Sequence, residues 1–112
     1  MPLVRNFAAL AATAVLVICA HAAEQWSPAR PVRLVVPFAA GGTIDLLGRL
    51  LAQPLTRSLG QNVIVDDRPG GGTVIGVDVV ARAPADGYTI LLMGPSFTIN
   101  PFARSKLPYD TA

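Results

Sequence analysis

Cysteine and histidine are almost missing from this chain, and no apolar run is long. The one cysteine, Cys19, and the one histidine, His21, both fall within the first 22 of 112 residues. Those residues carry one positive charge at Arg5, an apolar stretch from Phe7 to Cys19, and the small-residue triplet Ala20-His21-Ala22. That pattern reads as a secretory signal peptide, residues 1–22, cleaved after Ala22. A lipoprotein reading of Cys19 is disfavoured, because Ile18 stands where a small residue is wanted. A chain starting at Ala23 has neither cysteine nor histidine. Thiol nucleophiles, disulfides, histidine-based triads and Cys/His zinc sites are thereby excluded. The apolar run is shorter than the ~18–20 residues that span a bilayer, so an exported, soluble chain is expected.

Charge of one sign is also scarce. Removal of Arg5 lowers Lys plus Arg from nine to eight against seven acids, and the formal charge falls from +2 to +1. No long-range pull on nucleic acid or membrane follows from that balance. Carboxylates, arginines, hydroxyls and backbone groups are what is left to carry function.

Val32 to Phe38 is a near-continuous apolar run broken by Arg33, as in a strand covered on both faces. The segment Val35-Val36-Pro37-Phe38-Ala39-Ala40-Gly41-Gly42-Thr43-Ile44-Asp45 then passes through a turn into a leucine-rich helix. A helix start leaves about four N–H donors unpaired and has roughly half a positive charge, so outward-facing N–H groups at Gly41 and Gly42 would cradle a carboxylate or phosphate. A plain Gly-Gly turn is the competing reading. Leu47, Leu51, Leu55 and Leu59, flanked by Leu46 and Leu50, predict one buried helical stripe. Pro54 should kink the helix or loosen a turn, and Gly60 should end it.

Asn62 to Asp66 predicts a second strand, followed by the flexible run Asp67-Arg68-Pro69-Gly70-Gly71-Gly72-Thr73. Val74 to Ala83 is rich in valine, yet a crossover between parallel strands needs a dozen or so residues; a helix capped by Thr73 is the better fit. Pro84 to Gly87 is a turn, and Tyr88 to Met93 a third strand. The alternation strand, helix, strand, helix, strand gives an α/β fold with an open, three-layer sheet and its ligand face at the carboxyl ends of the strands.

In such a sheet the turn at 38–43, the glycines at 70–72 and the loop Gly94 to Asn100 share one edge. They offer backbone N–H groups, the hydroxyls of Thr43, Thr73, Ser96 and Thr98, and the Asn100 amide, a set suited to a small oxygen-rich ligand. For each hydroxyl a cap or turn role competes. Asp45 is accounted for by the helix dipole, and also suits a ligand contact through a water or an ammonium group. Arg68 could steer an anion toward the mouth, but is expected to pair with Asp66 or Asp67 or to remain solvated, and Trp26 and Tyr88 are expected to pack. A nucleotide site fails its own test. No Gly-Lys-Ser/Thr is present, and a G-x-G-x-x-G pattern begun at Gly70 meets Ile75 where its last glycine belongs.

Taken in order, Arg30-Pro31-Val32-Arg33-Leu34-Val35-Val36-Pro37-Phe38, Gly41-Gly42 with Asp45, Arg68-Pro69-Gly70, Asp86-Gly87-Tyr88-Thr89, Asn100-Pro101 and Lys106-Leu107-Pro108-Tyr109-Asp110 resemble the Bug-type solute-binding receptors of tripartite tricarboxylate transporters. The resemblance implies a periplasmic two-lobed clamshell of the type II binding-protein kind. Such a receptor captures a small organic acid, a di- or tricarboxylate or similar, and delivers it to the membrane permease subunits. It needs no cofactor or metal. The loop Pro37 to Thr43 would hold a ligand carboxylate, partly through ordered waters, and the loop after the third strand would add polar contacts. The implied site is Phe38, Ala39, Gly41, Gly42, Thr43, Asp45, Ser96, Thr98 and Asn100. Thr73 and Val74 depart from the family's usual Gly-Asn, and Ser96-Phe97-Thr98 is shorter than the usual segment.

The family's chain runs on through a second lobe, whereas Leu107 to Ala112 has the look of a connection leading onward. Residues 23–112 are therefore expected to be the N-terminal part of the first lobe, a partial lobe of the Venus-flytrap fold with the second lobe absent. A truncated remnant without ligand binding is the alternative. A small exported hydrolase with an oxyanion hole at Gly41–Gly42 is a further one, but a histidine base, a thiol and a metal cluster are all lacking.

Overall fold

The computed structural model describes residues 26–110; the expected leader, with Cys19 and His21, lies outside the described residues. Three strands form the sheet: β1 (Val32–Val36), β2 (Val63–Asp67) and β3 (Thr89–Leu91). Their order is β2-β1-β3, and both pairings are parallel. Val32 stands opposite Val63 and Val36 opposite Asp67, while Arg33 faces Thr89 and Val35 faces Leu91. The connections are helical: α1 (Thr43–Leu59) joins β1 to β2, α2 (Val74–Ala81) joins β2 to β3, and α3 (Ser96–Ala103) follows β3. The α/β alternation read from the sequence is thus the observed one.

The central strand is apolar because it is covered on both sides. Val32, Leu34, Val35 and Val36 are all buried, and each such side chain contributes about 1.5–3 kcal/mol relative to exposure. α1 packs on β1 and β2, and α2 on β1 and β3. Val32, Leu34, Ala52 and Val63 form the core cluster, with Leu55, Leu59, Val65, Tyr88 and Leu92 against it. The N-terminal segment is pinned across the sheet end: Ala29 N–H donates to the Tyr88 hydroxyl at 2.8 Å, Arg30 lies 4.1 Å above the Tyr88 ring, and Trp26 meets that ring edge-on at 5.5 Å. Tyr88 and Trp26 are packing residues, as expected.

The leucine stripe needs correction. Leu46, Leu47, Leu50 and Leu51 are exposed, whereas the buried residues of α1 are Asp45, Gly48 and Ala52, continued by Leu55 and Leu59. A repeat of four advances about 40° beyond a full turn at 3.6 residues per turn, so a ladder from 47 to 59 winds off the buried face. The spacing that follows the helix is 45, 48, 52, 55, 59. Small residues at 48 and 52 let the helix axis approach the sheet: a Cβ on Gly48 would stand 3.2 Å from Val36 Cγ2 and 3.3 Å from Leu92 Cδ2. The helix continues through Pro54, and Gly60, at φ +67, ends it with its N–H on Thr56 O at 3.0 Å.

Two further expectations change. The segment after β3, read as a loop, is the helix α3. Thr73 stands at the start of α2 but makes no side-chain cap bond; its φ is +78, in the left-handed region.

Candidate functional site

The three segments that leave the carboxyl ends of the strands do meet at one edge, and an open cavity of about 550 Å³ lies among them. The first wall is Pro37, Phe38 and Ala39, the second Pro69, Gly70, Gly72 and Thr73, the third Ser96, Ile99, Asn100 and Arg104. Of the residues named from sequence, Phe38, Ala39, Ser96 and Asn100 line the cavity, and Gly41, Gly42, Thr43, Asp45 and Thr98 do not.

The reason lies in how the first turn is built. Gly42 N–H donates to Ala39 O at 3.2 Å, and Gly41, at φ +81, donates its N–H to Asp45 Oδ2 at 2.6 Å. Asp45 is only 3% exposed. Its Oδ1 lies 2.7 Å from Arg49 Nε, an ion pair too poorly aligned to be a hydrogen bond, and Arg49 Nη2 also reaches Asp67 Oδ2 at 3.1 Å. The helix start therefore already holds an anion, the carboxylate of its own first turn. The N–H groups of Gly41 and Gly42, expected to face outward, are turned inward. Thr43 is exposed beside them.

The second wall is a run of four left-handed residues: Gly70, Gly71, Gly72 and Thr73 have φ of +125, +58, +63 and +78. Glycine adopts such angles freely; a β-branched residue does so only under strain. The strain at Thr73 is held by a neighbour. Buried Asn100 donates from Nδ2 to Gly72 O at 3.2 Å and to Thr73 Oγ1 at 3.1 Å. Close packing brings this wall to the first: a Cβ on Gly76 would fall 2.6 Å from Pro37 Cβ and 2.8 Å from Arg68 O. Arg68 N–H donates to Val36 O at 2.7 Å and its side chain pairs with Asp66 at 2.9 Å, as expected; Arg68 is not among the residues that line the cavity. Burial pushes the Asp66 carboxyl up, but hydrogen bonds and charge from Arg33 and Arg68 outweigh it and hold the group below its ordinary value.

The third wall depends on α3 being a helix. Ser96, Asn100 and Arg104 are spaced by four and come to one side of it, where Ile99 joins them. Thr98 is on another side, exposed, with its hydroxyl donating to Pro95 O at 2.8 Å. Arg104 was missed from sequence; the i, i+4 spacing from Asn100 is the signal that reveals it, once the segment is helical.

The cavity thus has apolar faces from Pro37, Phe38, Ala39, Pro69 and Ile99, a hydroxyl at Ser96, and one cation at Arg104. No carboxylate, thiol or imidazole is among its lining residues. That set suits holding a small anion and lacks the paired nucleophile and base of a hydrolytic site.

The family model described as tripartite tricarboxylate transporter family receptor matches residues 47–112, more than half of the chain. The chain belongs to this receptor family. BugT of Bordetella pertussis (strain Tohama I) is 48% identical over 79 residues, which are 70% of this chain and 24% of BugT. The solved structure of the periplasmic binding protein BugD is 52% identical, with a TM-score of 0.56 over 57% of this chain and 21% of that one. The R. palustris protein Rpa4515, solved with adipate, is 42% identical, with a TM-score of 0.70 over 74% of this chain and 28% of that one. The chain spans about a quarter of the length of the curated relatives it matches. The family and these neighbours are solute-binding proteins, not enzymes, and the partial-lobe α/β architecture expected from the resemblance is the one observed.

Proposed function

We propose that this chain supplies one wall of the ligand site of a receptor that captures small di- or tricarboxylates in the periplasm and hands them to the membrane permease subunits of its transporter. In this reading residues 1–22 are the export leader and residues 23–112 belong to the first lobe. The observation that carries it is the cavity at the carboxyl edge of the sheet, apolar on most sides, with one guanidinium and no carboxylate among its lining residues. A desolvated carboxylate is stable only where hydrogen-bond donors and opposite charge replace its water. The R. palustris neighbour was solved with adipate, a ligand of this chemistry.

Phe38 and Ala39 would border the bound acid from the first wall, and Ser96 and Asn100 from the third. Gly41, Gly42, Thr43 and Asp45 shape and terminate the first turn, and Thr98 closes the start of α3, so these five would act on the ligand only through the walls they hold. Closure of a second lobe over the cavity would exclude water and strengthen each polar contact. Titration calorimetry of the full-length protein against a panel of di- and tricarboxylates tests the reading. Saturable one-to-one binding of at least one member is expected; no binding to any of them contradicts it.

A further inference from the structure

We infer that Arg104 is the side chain by which this cavity recognises negative charge, forming a two-pronged pair with one carboxylate of the ligand. The inference rests on the carboxylate reading above and adds the group that does the recognising.

Most other arginines among the described residues are committed to carboxylates; Arg57, in the last turn of α1, is not, and it is not among the residues that line this cavity. Arg30 pairs with Asp86, Arg33 and Arg68 with Asp66, Arg49 with Asp45 and Asp67, and Arg82 with Asp78. Arg104 takes part in none of those five arginines' pairs, and it is the one charged residue among those that line the cavity. Its position is built rather than incidental. The Arg104 N–H donates to Asn100 O at 3.0 Å, fixing the stem at the end of α3. The guanidinium then lies against the backbone of Gly72: a Cβ there would stand 2.5 Å from Nη2 and 3.6 Å from Cζ. Gly72 is itself tied to Asn100 through its carbonyl. One buried amide thus positions both the glycine that makes room for the guanidinium and the helix end that carries it.

An acid entering between the walls of Pro37, Phe38 and Ile99 gives up water on its carboxylate. The planar fork of Arg104 offers paired N–H donors in the geometry a carboxylate accepts, where a lysine would offer a point charge. Ligands whose carboxylate is replaced by a neutral amide lose that pairing while keeping their size and apolar stem.

The test measures binding of adipate and of its uncharged diamide, adipamide, to the full-length protein, as wild type and as Arg104→Gln and Arg104→Lys. Arg104→Gln should weaken adipate about 10- to 100-fold, as expected for a hydrogen bond to a charged group, and leave adipamide within about twofold. Arg104→Lys should recover part of the loss. Equal adipate affinity in wild type and Arg104→Gln overturns the inference while leaving the carboxylate reading intact. An equal loss for adipate and adipamide also overturns it, because charge is then not what Arg104 reads. Failure of the wild type to bind any carboxylate refutes the carboxylate reading itself.

Discussion

The two glycine turns at the ligand edge of the sheet look alike in sequence and are built in opposite ways. The turn at Gly41–Gly42 is closed from within: its N–H groups go to Ala39 O and to the buried carboxylate of Asp45, four residues on. The run at Gly70–Gly72 has no such side chain of its own. It is held from across the cavity by Asn100, and it presents bare backbone to Arg104. A helix N-terminus is a ready anion site only if the chain does not supply its own anion, and here α1 does. The turn whose glycines are propped from outside is the one that borders the open space.

The largest effect should come from the contact that joins the two turns. Gly76→Ala puts a Cβ against Pro37 and the carbonyl of Arg68, neither of which is a flexible side-chain end. We expect a loss of about 3 kcal/mol in chemical denaturation, at the upper end for overpacking; a loss below about 0.5 kcal/mol would show that α2 shifts freely, and that the two walls are not locked together. Next comes the internal closure of the first turn. Asp45→Ala leaves the Gly41 N–H and one side of Arg49 without a partner, at a cost of about 2 kcal/mol. An unchanged unfolding midpoint would mean the turn is not held by its carboxylate.

A matched pair then separates the turns directly. Gly41→Ala meets nothing within 4 Å, so its cost is the left-handed backbone alone, about 1 kcal/mol, with adipate affinity unchanged. Gly72→Ala has the same backbone strain and also displaces the guanidinium of Arg104, so adipate affinity should fall with it. Equal effects on affinity would erase the distinction between the turns. The smallest effect is electrostatic. Because Asp66 has its folded pKa lowered, it stabilises the fold above its unfolded value, about pH 3.9, and the contribution is lost as the pH falls through the lower folded value. Comparing wild type with Asp66→Asn across this range should show a difference in unfolding midpoint that shrinks toward acid; a difference that grows there contradicts the pairing with Arg33 and Arg68.

Much of the fold was legible because the signals were local. The apolar run at Val32–Val36 marks a strand buried on both faces, and Gly60 marks the end of α1. What was misread depended on neighbours. Leucines at 46, 47, 50 and 51 outweigh Gly48 and Ala52 on any hydrophobicity count, yet the sheet leaves room only for the small residues. The segment Gly94 to Asn100 reads as a loop, and only as a helix does it bring Ser96, Asn100 and Arg104 to one side. Thr73 has the chemistry of a cap but a left-handed backbone, because Asn100, distant in sequence, holds it there. The same distance separates the cavity walls: Phe38, Ala39, Ser96 and Asn100, named from their loops, line the cavity, while Arg104 joins them only through tertiary placement.

The most direct measurement is an amide chemical-shift map of the full-length protein titrated with adipate. The account predicts saturable shifts at Phe38, Ala39, Gly70 to Thr73, Ser96 and Arg104, with the Gly41 amide, bonded to Asp45, nearly unmoved. Shifts centred on Gly41 and Gly42 that leave residues 70–73 and 104 untouched, or no saturable shift at all, would contradict it.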